Sequence, residues 1–138
     1  MANEEQLALL ERGPRVWNEW RALNPDAKVD LSTAHLFKAN LSGAILSNAD
    51  LSNAGLMEAH LFKANLTGAI LSNADVSNAD LMEANLFKAN LLRANLSAAS
   101  LPREPVRRDT VQREPNRGEH VGREPARREP VRREPAPS

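Results

Sequence analysis

Residues 35–59 read HLFKANLSGAILSNADLSNAGLMEA and residues 60–84 read HLFKANLTGAILSNADVSNADLMEA, a 25-residue unit that recurs with changes only at Ser42/Thr67, Leu51/Val76 and Gly55/Asp80. A shorter beat runs inside it. From Leu31 to Leu101 every fifth residue is Leu, with Val76 the one exception, and fourteen alanines from Ala34 to Ala99 each stand two residues before the next of these positions. In an α-helix five residues advance a side chain by roughly 140°, so the leucines would spiral around it and leave no buried stripe. In a straight strand side chains alternate faces, and an odd period sends successive leucines to opposite sides. The chain must therefore turn once per pentad. Short extended segments, each ended by a corner, let every Leu and every Ala point to a common axis. The intervening Ser, Asn, Asp, Gly and Lys then face water, and Asn, Asp and Gly suit corners because they tolerate turn dihedrals and bond local backbone groups.

Composition supports a repeat domain joined to a different material. Leu and Ala supply most of the apolar residues, aromatics are 4% of the 138-residue chain, Tyr and Cys are absent, and seven of the nine prolines lie after residue 101. Residues 1–101 carry eight Lys and Arg against eleven Asp and Glu, a net of −3, while residues 102–138 carry ten Arg against seven acids, a net of +3. Neither part has the single-sign charge of a nucleic-acid binder. The opening MANEEQLALLERG has acids where a signal peptide needs basic residues and no long apolar run, so a cytoplasmic location without membrane insertion is expected. Without cysteine there are no disulfides or thiolate metal sites.

The units ADLSN, ANLFK, ANLTG, ANLLR and ANLSA resemble the A-(D/N)-L-x-x pattern of the pentapeptide-repeat protein family, over fifteen consecutive pentads in residues 29–103. The resemblance implies an all-β solenoid, a right-handed quadrilateral β-helix with one pentad per side and twenty residues per coil. Fifteen pentads make just under four coils, ~18 Å tall at the usual ladder spacing.

A solenoid needs its ends covered. Residues 1–28 are expected to form a short helical cap, with Asn3 capping an acidic first turn, Gly13 as a stop and Pro14 opening a second helix. Val16, Trp17, Trp20 and Leu23 fall on one side of that second helix, with Trp17 and Trp20 as a lid over the first coil or, alternatively, a partner-binding pair. The segment GPRVWNEWRALNPD also resembles leaders found before bacterial pentapeptide arrays. At the other end Leu91, Leu96 and Leu101 run straight into Pro102, so a homodimer through this coil is one expectation. Residues 102–138 repeat Arg-Glu-Pro from 103, 113, 123, 128 and 133 with four valines as their only large apolar residues, and 104–138 read as a disordered tail. It serves either as a spacer or as an arginine-rich tether to an anionic partner.

No catalytic constellation is evident. His35 and His60 occupy equivalent repeat positions with Asn85 as the third, on adjacent sides a coil apart, and do not suit a shared metal. No cofactor and no small-molecule substrate are expected. Residues twenty apart should stack, which places Phe37 beside Met57, Lys38 beside Glu58, Phe62 beside Met82 and Lys63 beside Glu83, with Phe87 and Lys88 opening a third pair. These pairs could serve the ladder alone. Equally, Phe37, Met57, Phe62, Met82 and Phe87 form an apolar band over three sides, which suits a non-enzymatic protein-interaction scaffold with a protein partner. The alternative implied by the family is a DNA-mimic that protects a type II topoisomerase such as gyrase.

Overall fold

The computed structural model describes residues 1–103. From residue 30 to residue 100, single-residue parallel bridges join positions twenty apart, beginning with Asp30 to Asp50, His35 to Gly55, Asn40 to His60 and Ile45 to Asn65, and ending with Asp80 to Ser100. Four pentads thus complete one coil, as the family resemblance implies. Among the described residues the sides carry isolated bridges rather than extended strands, because a pentad spends four of its five residues on a turn.

Those turns share one design. The backbone N–H of each Ala donates to the carbonyl of the Leu three residues before it, at 3.1 Å for Ala34 to Leu31 and 3.0 Å for Ala64 to Leu61. The residue just before that Ala has positive φ, at about 60° in Thr33, Lys38, Asn48 and Glu58 and at 71° in Gly43. This combination is that of a type II turn.

Hydrogen bonding accounts for every backbone N–H of a pentad that has Asp or Asn before its Leu and a coil beyond it. The N–H of Leu31 reaches the Asp50 carbonyl at 2.8 Å, that of Thr33 reaches Ser52 at 2.9 Å, and that of Asp50 returns to Val29 at 2.9 Å. The remaining N–H, that of the residue after Leu, is taken by the side chain of the residue before Leu. Asp50 Oδ1 accepts from the Ser52 backbone at 3.0 Å and from its hydroxyl at 2.7 Å, and Asn65 Oδ1 accepts from the Thr67 backbone at 3.1 Å. This is why Asp or Asn so often precedes Leu: an otherwise unpaired donor is satisfied locally.

The interior is a continuous column of Leu and Ala from Val29 to Leu91, with Trp17 and Leu10 joined to it. Two helices supply those last residues, α1 (Glu4–Glu11) and α2 (Pro14–Leu23). In α1, Asn3 caps the Gln6 N–H and Glu4 and Glu5 lie in the first turn; Pro14 opens α2 after Gly13, whose φ is 106°. Their polar side chains lie on the first coil where a preceding coil would otherwise pair. Gln6 Nε2 donates to the Lys28 carbonyl and Gln6 Oε1 accepts from Asp30 N–H. Asn18 Oδ1 accepts from Ile45 N–H while its Nδ2 donates to Gly43, and Trp17 Nε1 donates to the Ile45 carbonyl at 2.8 Å. These side-chain groups take the place of missing ladder partners.

Leu23 departs from expectation. It is 81% exposed, and Arg21 is buried in its place, with its guanidinium donating to the carbonyls of Ala27 and Ser47. Helical spacing alone favours the apolar side chain, but the edge of a coil offers carbonyls, which only a donor can satisfy. At the far end Leu91 is 3% exposed, whereas Leu96 and Leu101 are only partly covered, so the open end is made by those two and not by Leu91. The expected tail, 104–138, lies outside the described residues.

Candidate interaction surface

Residues one and two places after each interior Leu stand at the outer corner of a turn. On one side of the coil these are Phe37 and Lys38, with Met57 and Glu58 stacked one coil on. On the next side they are Phe62 and Lys63, followed by Met82 and Glu83, and on the third Phe87 and Lys88. The stacking is fixed by the backbone, since Lys38 N–H donates to the Met57 carbonyl at 2.9 Å and Lys63 N–H to the Met82 carbonyl at 3.0 Å. Lys38 and Glu58 approach to 3.7 Å, and Lys63 and Glu83 to 3.9 Å, all four largely in solvent. Such exposed pairs contribute about 0.2 to 1 kcal/mol.

The three phenylalanines of the chain are all on this band, 54%, 37% and 47% exposed at Phe37, Phe62 and Phe87, and Met57 is exposed beside them while Met82 is half-buried. Each Phe carries its following Lys over the ring, with Nζ 5.2 Å from the Phe37 centroid and 5.4 Å from those of Phe62 and Phe87. A lysine bonded to carboxylate on one side and ring face on the other is a mixed apolar and cationic feature. The full arrangement occurs twice, at Lys38 and Lys63, and its ring half a third time, at Lys88 over Phe87. Sequence spacing brings out the Lys/Glu pairs but not these cation–π contacts, which need the turn to fold neighbouring side chains together.

The spiral also continues into a residue that spacing analysis passes over. Leu92, one pentad after Phe87, is exposed on the fourth side. Its signal is plain in hindsight: ANLLR places an apolar residue at the same corner position as Phe in ANLFK.

Other polar candidates stay apart. His35 and His60 are exposed on adjacent sides, His35 bridging Gly55 and His60 lying between Asn40 and Asp80, so the two do not converge. Among the described residues no group of His, Asp and Glu could hold a metal ion. No helix among them is long and apolar enough to cross a membrane.

Comparison with known proteins agrees with this geometry. The pentapeptide-repeat family model matches in eight copies over residues 27–53, 34–73 and 64–103, more than half of the chain. The chain belongs to the pentapeptide-repeat family, whose members are right-handed quadrilateral β-helices and generally structural or interaction modules rather than enzymes. Among solved structures it resembles a pentapeptide repeat protein of the Arabidopsis thaliana thylakoid lumen, 42% identical with a TM-score of 0.52 over 52% of this chain and 50% of that one. A pentapeptide repeat protein from the cyanobacterium Cyanothece is 34% identical, with a TM-score of 0.39 over 63% and 51% of the two chains. HetL from the cyanobacterium Nostoc, described as involved in heterocyst differentiation regulation, is 35% identical with a TM-score of 0.32 over 63% and 39%. The matched region thus spans about half or less of each of these relatives. No curated protein sequence matches the chain significantly.

Proposed function

We propose that this protein is a non-enzymatic interaction scaffold, and that the spiral band of Phe37, Met57, Phe62, Met82 and Phe87, with Lys38, Glu58, Lys63 and Glu83, is its binding surface for another protein. The solenoid needs only Leu, Ala and the polar corner residues to close its coils. The large side chains at the corners lie outside that requirement.

The observation that carries this reading is the backbone beneath the band. Lys38, Glu58, Lys63, Glu83 and Lys88 all have φ near +60°. An ordinary L-residue there costs roughly 1 to 2 kcal/mol that Gly or Asn largely avoids. The same turn position holds Gly43, Asn48, Asn53, Gly68, Asn73 and Asn78 in the pentads between the charged corners, and Thr33, Arg93 and Ala98 in three pentads toward the ends of the array. An exposed ion pair does not offset the strain of two such residues, so stability alone does not favour the charged corners. The charges and rings together suit a partner surface with its own apolar patch and mixed charge.

Under this reading α1 and α2 act as the cap of the first coil, with Trp17 and Trp20 structural rather than partner-binding. Replacing Phe37, Phe62 and Phe87 together by Ser tests the binding role. Protein capture from a cell extract with wild type and variant as paired baits should lose the partner in the variant, while circular dichroism and melting temperature stay near wild type. Partner retention by a folded variant rejects the band as the binding surface.

A further inference from the structure

The beat of five continues past Leu101. Val106, Val111, Asn116, Val121, Ala126, Val131 and Ala136 extend it to the end of the sequence, while the residues two before them are all acidic, from Glu104 and Asp109 to Glu134. The residues one before them are Pro105, Thr110, Pro115, His120, Pro125, Pro130 and Pro135. In the described coils the first of these places holds a buried Ala such as Ala74 or Ala79, and the second donates its backbone N–H to the preceding coil, as Ser100 does to Ala79 at 2.9 Å. Glu suits no buried Ala site, and Pro has no N–H to give. A period kept while every Ala site turns acidic and five of the seven donor sites turn to Pro is what a repeated coding sequence gives when read out of frame, because a repeat of five whole codons keeps its period in every frame.

The genetic code makes the relation specific. Arg is CGN or AGR, Glu GAR and Pro CCN, where R is A or G, and the CGN form of Arg is the one that shifts to Ala. Read from the second nucleotide, Arg-Glu-Pro before a codon starting with G becomes GNG, ARC and CNG, which admit Ala, Asn and Leu in that order. Read this way, residues 103–112, REPVRRDTVQ, can encode ANLSGAILSN, the sequence of residues 39–48, and residues 113–117, REPNR, can encode ANLTG, that of residues 64–68. Where Asp109-Thr110 replaces Glu-Pro, the shifted codon can only be Ile or Thr, and Ile is what the array carries at the same step, in Ile45 and Ile70.

The fold shows where the missing pentads belong. Ladder bonds from each Leu N–H to a carbonyl nineteen residues later run as far as Leu81 to Ser100 at 2.7 Å, and the coil containing Leu96 and Leu101 is left partly uncovered. We propose that residues 102–138 are the array's own coding repeat translated in a shifted frame, and that its in-frame counterpart is seven further pentads that stack on this end and bury Leu96 and Leu101.

Sequencing the coding DNA tests the first part. Arg, Glu and Pro should be written mainly CGC, GAA and CCT, so that the shifted frame gives Ala and then, two codons later, Leu or Met in a majority of the seven pentads without a stop codon. A stop, or those residues in only a minority of the pentads, overturns it. The second part is read from the frame-restored gene: the longer chain should melt at a higher temperature than the present one, since stacked repeats stabilise one another. An unchanged or lower melting temperature overturns the stacking.

Discussion

Glu58 and Glu83 sit where the backbone suits them least, at φ 60° and 61° on the outer corner of a turn. Each gains a lysine partner, but at distances and exposures where the pair is worth under about 1 kcal/mol. Glu58→Asn and Glu83→Asn should therefore raise the melting temperature of the folded chain, since Asn relieves roughly 1 kcal/mol of left-handed strain per site. A fall in thermal unfolding experiments would mean that the ion pairs outweigh the backbone. Asp30 gives a pH-dependent counterpart. Its carboxylate accepts from the Ser32 hydroxyl and then from the Ser32 backbone N–H, which together hold its pKa below the ordinary Asp value against a small opposing effect of burial. A lowered folded pKa stabilises the protein above the unfolded value of about 3.9, and that contribution is lost as pH falls through the folded value. Asp30→Asn keeps an Oδ1 acceptor, as Asn40 and Asn65 do, and should flatten this part of the acid limb in denaturation measured from pH 5 downward. At this scale the sequence says that Asp and Asn belong near corners, yet it does not separate their two jobs. Period five assigns a side chain inward or outward; it is silent on which outward residue bonds an N–H and which takes positive φ.

The helices α1 and α2 show how far element-level reading reaches. Their limits follow from local signals: Asn3 and the two acids at one start, Gly13 and Pro14 at the next. Their docking does not, because it depends on the unpaired edge of the first coil. Trp17 is fully buried, its ring centroid is 5.2 Å from that of Trp20, and its indole N–H is bonded to Ile45. Trp17→Ala should cost about 3 to 5 kcal/mol in chemical denaturation, and Trp17→Phe about 1 to 3 kcal/mol from the stranded carbonyl. Leu23→Ser, at an exposed site, should stay within about 0.5 kcal/mol of wild type. If Leu23→Ser proved as damaging as Trp17→Ala, the placement of Arg21 on the inner face would be wrong. Gln6, Asn18 and Arg21 escape a reading based on apolar periodicity because they serve hydrogen bonds that only a three-dimensional edge creates.

At the scale of the whole molecule, a coil turning once per pentad was legible in the sequence, since no regular helix or strand places a residue on one axis every five positions. Its four sides followed from the family resemblance and are seen in bridges between residues twenty apart. The 25-residue duplication then acquires a spatial meaning. Five pentads on a coil that closes every four shift each copy one side round, so the Phe, Lys, Met and Glu corners wind as a spiral. A DNA-mimic role fits this solenoid poorly, because its height of ~18 Å is about half of one DNA turn of ~34 Å. Its outward charges are also mixed in sign, with Lys38, Lys63, Lys88 and Arg93 among Asp30, Asp50, Asp75, Asp80, Glu58 and Glu83, a net of only −2. Gyrase supercoiling assayed with excess protein should be unchanged, and inhibition would revive that alternative. The central claim is that the spiral band binds and the Leu column folds, two separable tasks on one repeat. Paired capture with wild type and the Phe37→Ser, Phe62→Ser, Phe87→Ser variant tests it most directly. The prediction is loss of the captured partner from a variant whose circular dichroism and melting temperature match wild type, and equal capture by the two proteins would contradict it.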